Sequence, residues 1–235
     1  MRSSPRLLIV LVLSLVSARH AQAQTSSAAG HWQGSINAPF GEVGIAVDLA
    51  MDGGTMQGRF TNPGEQINGL PFARVTVDGR SIQMHLKDGE RSNTFRGTLS
   101  SDGQTITGDF LISVYAVPFT LRRVGEARFE PAPTSPAIDR AFEGTWHAEI
   151  AVDGGTRSMV LTMRNQDDRT ATGTWATPDG VEIPITMAVD GSRVKIASNV
   201  TRETFVGSLD SDGAGIVGTL TEGAAELPLT FRKAR

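Results

Sequence analysis

The chain of 235 residues contains no cysteine. That absence excludes a disulfide framework and a lipid-bearing cysteine at a cleavage point, so stability must come from packed cores alone. Long apolar runs are missing as well. Leu7 to Val16 is a ten-residue apolar stretch, about half of the ~20 residues that a membrane-spanning helix needs. No Gly-x-Ser-x-Gly nucleophile elbow occurs anywhere, which removes the usual sequence mark of an α/β-hydrolase. Histidine is scarce, with only His31, His85 and His147 after His20.

What is present begins with Arg2 and Arg6, the apolar stretch, and a small-residue exit at Ala21-Gln22-Ala23. This reads as a signal peptide over 1–23, cut before Gln24. A secreted or periplasmic protein, soluble after cleavage, is expected. Residues 1–23 hold three arginines and no acid, so their loss takes the formal charge from −3 to −6. A mildly acidic surface argues against nucleic acid and anionic membranes as partners.

The remaining length suits one large domain or two small ones, and internal similarity decides between them. Thr94-Phe95-Arg96-Gly97-Thr98-Leu99-Ser100-Ser101-Asp102-Gly103 matches Thr204-Phe205-Val206-Gly207-Ser208-Leu209-Asp210-Ser211-Asp212-Gly213 at an offset of 110. The same offset aligns Val117-Pro118-Phe119-Thr120-Leu121-Arg122 with Leu227-Pro228-Leu229-Thr230-Phe231-Arg232, and the copies open alike at Gly30-His31-Trp32 and Gly144-Thr145-Trp146. Two repeats are therefore expected, 30–123 and 144–233. Between them, 124–143 carries Glu130-Pro131-Ala132-Pro133 and then Ser135-Pro136, an extended spacer leading into one helical turn.

Within each copy apolar residues alternate with polar ones, the pattern of strands with one buried face. In the first copy Trp32 and Ile36, Val43 to Leu49, Met56 and Phe60, Val75 and Val77, Ile82 to Leu86, Phe95 and Leu99, Ile106 to Ile112, and Val117 to Leu121 mark eight strands. Turn pairs such as Asp78-Gly79 and Asp102-Gly103 separate them and favour hairpins. The fold class predicted is all-β, two tandem antiparallel up-and-down eight-stranded barrels, because closure removes exposed edges. Gly58, Gly97, Gly108, Gly173, Gly207 and Gly218 fall on the inward parity. They either permit tight coiling or leave room for one small ligand, both of which an eight-stranded interior allows.

The Gly-x-Trp opening combined with an arginine near the end of the last strand resembles the signature of lipocalin-like (calycin) barrels. The resemblance implies a barrel-closing stack of Arg122 on Trp32 and of Arg232 on Trp146. Gly30-His31-Trp32-Gln33-Gly34, Gly69-Leu70-Pro71, Phe95 through Gly108 and Pro118 through Arg122 also resemble the β repeats that precede the catalytic domain in some bacterial secreted α/β-hydrolases. The second copy keeps Glu182-Ile183-Pro184 and Phe205 through Arg232, with Ala148 at the motif's second glycine. The hydrolase domain itself has no counterpart in the sequence, so no catalytic residue carries over.

Tests for chemistry give little. The three histidines fall on the outward parity, without partners at metal-ligand spacing. Asp210-Ser211-Asp212-Gly213 starts like a calcium loop but lacks its remaining ligands, and hairpin-turn chemistry accounts for it. No catalytic residue, metal site or cofactor is assigned. Phe40 and Tyr115, off the inward pattern, are candidate ligand-binding or contact residues, while Phe129 and Phe142 are expected to fasten the linker. The function expected is a non-catalytic binding or accessory protein, with an exported hydrolase or other protein as partner. A calycin-type carrier of a small apolar ligand and a periplasmic protease inhibitor are the alternatives.

Overall fold

A computed structural model describes residues 28–86, 93–112, 114–152, 155–167, 169–176 and 181–234. The signal-peptide reading over 1–23 lies outside them. Among the described residues no helix is long and apolar enough to cross a membrane. The chain divides into two units, one of 28–58, 74–85 and 93–128, the other of 59–73, 86 and 129–234.

The alternation of the first repeat produces β1 (Gly30–Ala38), β2 (Gly41–Asp52), β3 (Thr55–Asn62), β4 (Ile67–Pro71), β5 (Arg74–Asp78), β6 (Ser81–His85), β7 (Thr94–Leu99), β8 (Thr105–Ile112) and β9 (Tyr115–Gly125). They form a curled antiparallel sheet in the order β4-β3-β2-β1-β9-β8-β7-β6-β5. The sheet's inner face carries the buried apolar residues. Trp32, Phe95, Ile106 and Leu121 are inaccessible to solvent, and the Phe95 ring stacks on Phe110 at 4.2 Å and meets Phe119 edge-on at 5.2 Å. Each such side chain contributes about 1.5–3 kcal/mol by leaving water.

The second repeat gives β11 (Gly144–Val152), β12 (Gly155–Asn165), β13 (Thr170–Ala176), β14 (Glu182–Asp190), β15 (Arg193–Ala197), β16 (Thr204–Leu209), β17 (Gly215–Glu222) and β18 (Ala225–Lys233). These eight strands close into a barrel, because β14 pairs with β13 through Trp175↔Ile183 and with β15 through Met187↔Ile196. The linker differs from its prediction. Ser135–Pro136 is a two-residue strand, β10, paired with β13. The helical turn, of 3-10 type, comes at Arg140–Phe142 with Asp139 as its cap, and it buries Phe142.

The first sheet remains open between β4 and β5 for a reason visible in the chain. Pro71 and Asp78 are seven positions apart, whereas Pro184 and Asp190 are six apart. On β14 the inward residues Ile183, Ile185 and Met187 follow at intervals of two and are all buried. In the first repeat buried Phe72 is followed by buried Val75, an interval of three. One inserted residue reverses the faces of a strand, so the equivalent of β14 breaks into two strands around Phe72-Ala73.

The inward glycines belong to close strand approach. Gly97 faces Gly108 across β7 and β8, and Gly207 faces Gly218 across β16 and β17. A Cβ on Gly108 would lie 1.9 Å from the Arg96 carbonyl oxygen, and one on Gly218 would lie 2.2 Å from that of Val206. Backbone, not ligand space, occupies those positions.

Candidate functional site

In the second unit the alternation of β12, β13 and β14 turns Met159, Trp175 and Ile183 inward. With Leu70, which belongs to the same unit, they line the apolar part of a cavity of about 170 Å³. The polar part comes from Arg157 near the start of β12, Glu222 at the end of β17, and Thr201 and Glu203 ahead of β16. All of these sit at the hairpin end of the barrel away from Trp146. The fold thus brings together residues from five strands, β4, β12, β13, β14 and β17, and a loop.

Two of these residues carry a fully buried donor with no acceptor among the described residues, the Nε1–H of Trp175 and the Nε–H of Arg157. Trp175 is only 1% exposed, so its indole cannot turn to bulk water. A buried donor left unmade costs about 1–3 kcal/mol. The other tryptophans differ in this respect, since Trp32 Nε1–H donates to the Ala28 carbonyl and Trp146 Nε1–H to that of Phe142, each at 3.0 Å.

Arg157 donates through Nη2 to Glu222 Oε1 in an ion pair. Glu203 accepts a 2.9 Å hydrogen bond from the Thr201 hydroxyl. Burial pushes the Glu203 carboxyl above its usual range; the Thr201 hydrogen bond opposes that, the nearby Glu222 charge reinforces it, and Arg157 opposes it. The cavity therefore combines an apolar wall with a carboxyl group that holds its proton more tightly than in water.

The closed-end expectation requires a correction of one residue. Arg123, not Arg122, lies over Trp32 at 4.4 Å, and Lys233, not Arg232, lies over Trp146 at 4.9 Å. Trp32 pairs across the ladder with Arg123, and Trp146 with Lys233. Along β9 the inward positions are Val117, Phe119, Leu121 and then 123, so Arg122 faces outward and is exposed. Arg232 is likewise outward, 3.6 Å from Asp210.

Two histidines also depart from expectation. His31 is on the outer face but buried, its Nδ1 2.8 Å from the Asp48 carboxylate, which also accepts the Arg128 backbone N–H at 2.7 Å. The segment after β9 thus covers that outer face. His85 is buried beside Thr94, its cross-strand partner, with 3.1 Å between Nδ1 and the hydroxyl oxygen. His147 is exposed. No group of three or more potential metal ligands occurs among the described residues. The calcium-like aspartates are occupied within their own turns, Asp210 and Asp212 each accepting the Ala214 N–H.

Phe40 and Tyr115 are 86% and 71% exposed. They stand at the β1–β2 and β8–β9 hairpin tips of the first unit, with exposed Val114 beside Tyr115. Neither lines the cavity. Phe142 is buried as expected of a fastening residue, and the Arg59 guanidinium lies 5.2 Å from the Phe129 ring.

No known protein family matches the chain, and no curated protein does. Among solved structures it is similar to a protein of unknown function of the DUF3598 family from Nostoc punctiforme PCC 73102. The identity is 13%, over 90% of this chain and 99% of that one, with a TM-score of 0.25.

Proposed function

We propose that the protein is a non-catalytic binding protein whose second barrel holds one small, mostly apolar molecule. The observation that carries this reading is the cavity at the barrel mouth, walled by Met159, Trp175 and Ile183 with Leu70. Its volume of about 170 Å³ compares with the ~150 Å³ of an engineered apolar cavity that binds benzene. The reading agrees with a calycin-type carrier, with export across a membrane, and with the lack of a nucleophile elbow.

A second reading, docking to another protein such as a hydrolase or protease, is favoured by the exposed apolar tips at Phe40, Val114 and Tyr115. Aromatic side chains held out on hairpin tips are typical anchors of protein contacts. Native mass spectrometry of the protein taken gently from its own host separates the two. A small added mass lost on denaturation supports the carrier; a co-isolated protein lost in a Phe40→Ser/Tyr115→Ser variant supports docking. The bare chain in every preparation contradicts both.

A further inference from the structure

We infer that the second barrel takes a small apolar amine in its ammonium form, the charged nitrogen held by Glu203 and the body on the wall of Leu70, Met159, Trp175 and Ile183. This rests on the cavity being a binding site and adds the chemistry of its occupant. The size follows from the volume of about 170 Å³, a little above the ~150 Å³ that holds benzene in an engineered apolar cavity. An amine of roughly six to eight carbon atoms, ring or branched chain, is of that size.

The head group follows from which polar atoms are still open. The charged residues that line the cavity are Arg157, Glu203 and Glu222. The Thr201 hydroxyl takes up Glu203 Oε2, and Glu222 meets Arg157 through Oε1. Glu203 Oε1 has no partner among the described residues, and unlike the Trp175 and Arg157 nitrogens it is not sealed from the surface. An ionised carboxyl oxygen can only accept, so the group that satisfies it is a donor. An ammonium is all donor, and its hydrogen bond to a carboxylate is of the stronger, charge-assisted kind.

The charge follows from the neighbours. Glu203 and Glu222 face the single guanidinium of Arg157 at the cavity, and Glu222 already pairs with it. Burial pushes the Glu203 carboxyl up; the Thr201 hydroxyl and Arg157 oppose this without cancelling it, and the Glu222 charge adds to it. An ammonium supplies the missing opposite charge. No other charge reaches this space from the packed elements, since the remaining lining residues on β4, β12, β13 and β14 are uncharged. Arg202, next to Glu203 in the chain, is exposed and does not line the cavity. An anion would meet two acidic side chains against one guanidinium, and a neutral molecule would leave the Glu203 charge unmatched.

The test uses the full chain, titrated calorimetrically with 1-phenylethylamine, acetophenone and benzoate, which share a ring and carry a cationic, a neutral and an anionic head group at neutral pH. The amine is expected to bind about tenfold more tightly than acetophenone, equivalent to about 1.4 kcal/mol, and benzoate most weakly. In Glu203→Gln the advantage of the amine is expected to shrink to about twofold, with acetophenone binding unchanged. A pH series on the parent is an independent measurement. The amine stays cationic while Glu203 takes up a proton, so its advantage should fall as the pH drops from about 7 to about 4, and acetophenone affinity should not move. Acetophenone binding as well as the amine overturns the ammonium assignment while the cavity reading stands. Benzoate binding best overturns it in favour of an anion held by Arg157. A tenfold preference for the amine that persists in Glu203→Gln, or at low pH, overturns the role of Glu203. Failure of all three to bind a folded chain removes the cavity reading and this inference together.

Discussion

The substitution Gly108→Ala isolates the physical reason for glycine on the inward face of these sheets. An added Cβ would lie 1.9 Å from the Arg96 carbonyl oxygen and 2.7 Å from the Gly97 Cα, both backbone atoms. Neither can rotate away, so β7 and β8 must separate and weaken the ladder that joins Arg96 to Asp109. Overpacking costs about 1–3 kcal/mol when side chains can yield; with backbone as the obstacle the upper figure, about 3 kcal/mol, is expected. For a unit of this size about 1 kcal/mol moves the melting temperature by roughly 4–8 °C, so a fall of at least ~12 °C follows. Gly44, in the same unit, is the control, because a methyl group added there would meet nothing within 4 Å and the residue has no left-handed φ. Gly44→Ala should raise stability by about 0.5–1 kcal/mol through reduced freedom of the unfolded chain. Calorimetric melting of both variants reads the contrast. A Gly108→Ala transition within a few degrees of the parent would refute the close-approach argument and return those glycines to the role of ligand space.

Other outcomes follow from the same geometry. Arg123→Met should cost about 0.5–2 kcal/mol through loss of the cation over Trp32, while Arg122→Met, outward and exposed, should change stability by less than about 0.5 kcal/mol; urea unfolding distinguishes them. Asp48→Ala leaves His31 and the Arg128 N–H without their shared acceptor, and a loss of about 1–3 kcal/mol is expected by the same assay. The raised Glu203 pKa means that the folded state binds its proton more tightly than the unfolded state. That contribution to stability is full below the ordinary value of 4.5 and is lost as the pH rises through the folded pKa. Glu203→Gln should therefore flatten the decline of stability above pH 4.5. The opposite sign holds for Asp102, whose carboxyl is lowered by the Ser100 hydroxyl and the Gln104 N–H; a decline below its ordinary value of 3.8 should survive in the variant.

The repeat and most strands were legible because each inward residue is set by a period of two, and Trp32, Ile45, Ile82, Phe95 and Phe119 are buried as that period requires. The break between β4 and β5 was written in the sequence as the extra residue between Pro71 and Asp78, but β4 itself, with Asn68 and Gly69 in its five residues, has no alternation to announce it. Parity alone also points to Arg123, two positions beyond Leu121; the family signature pulled the assignment to its neighbour. His31 misleads because parity assigns a face, and whether that face meets water depends on the segment after Gly125 that reaches Asp48. The cavity was not legible at all. Arg157, Trp175, Glu203 and Glu222 follow one another at intervals of 18, 28 and 19 positions, and each taken singly is an ordinary strand or loop residue. Only closure of the β13–β14 ladder sets them around one space.

The central claim, that the mouth of the second barrel is a binding site, is tested most directly by following the indole N–H resonances of the three tryptophans while acetophenone is added to the full chain. Trp32 and Trp146 already donate to backbone carbonyls, whereas Trp175 has no acceptor among the described residues. A saturable shift of the Trp175 indole proton is expected, because its ring lines the cavity, absent in Met159→Trp where the cavity is filled, with the other two resonances unmoved in the parent. A Trp175 resonance that stays fixed at saturating acetophenone, or shifts spread equally over all three indoles, would contradict it.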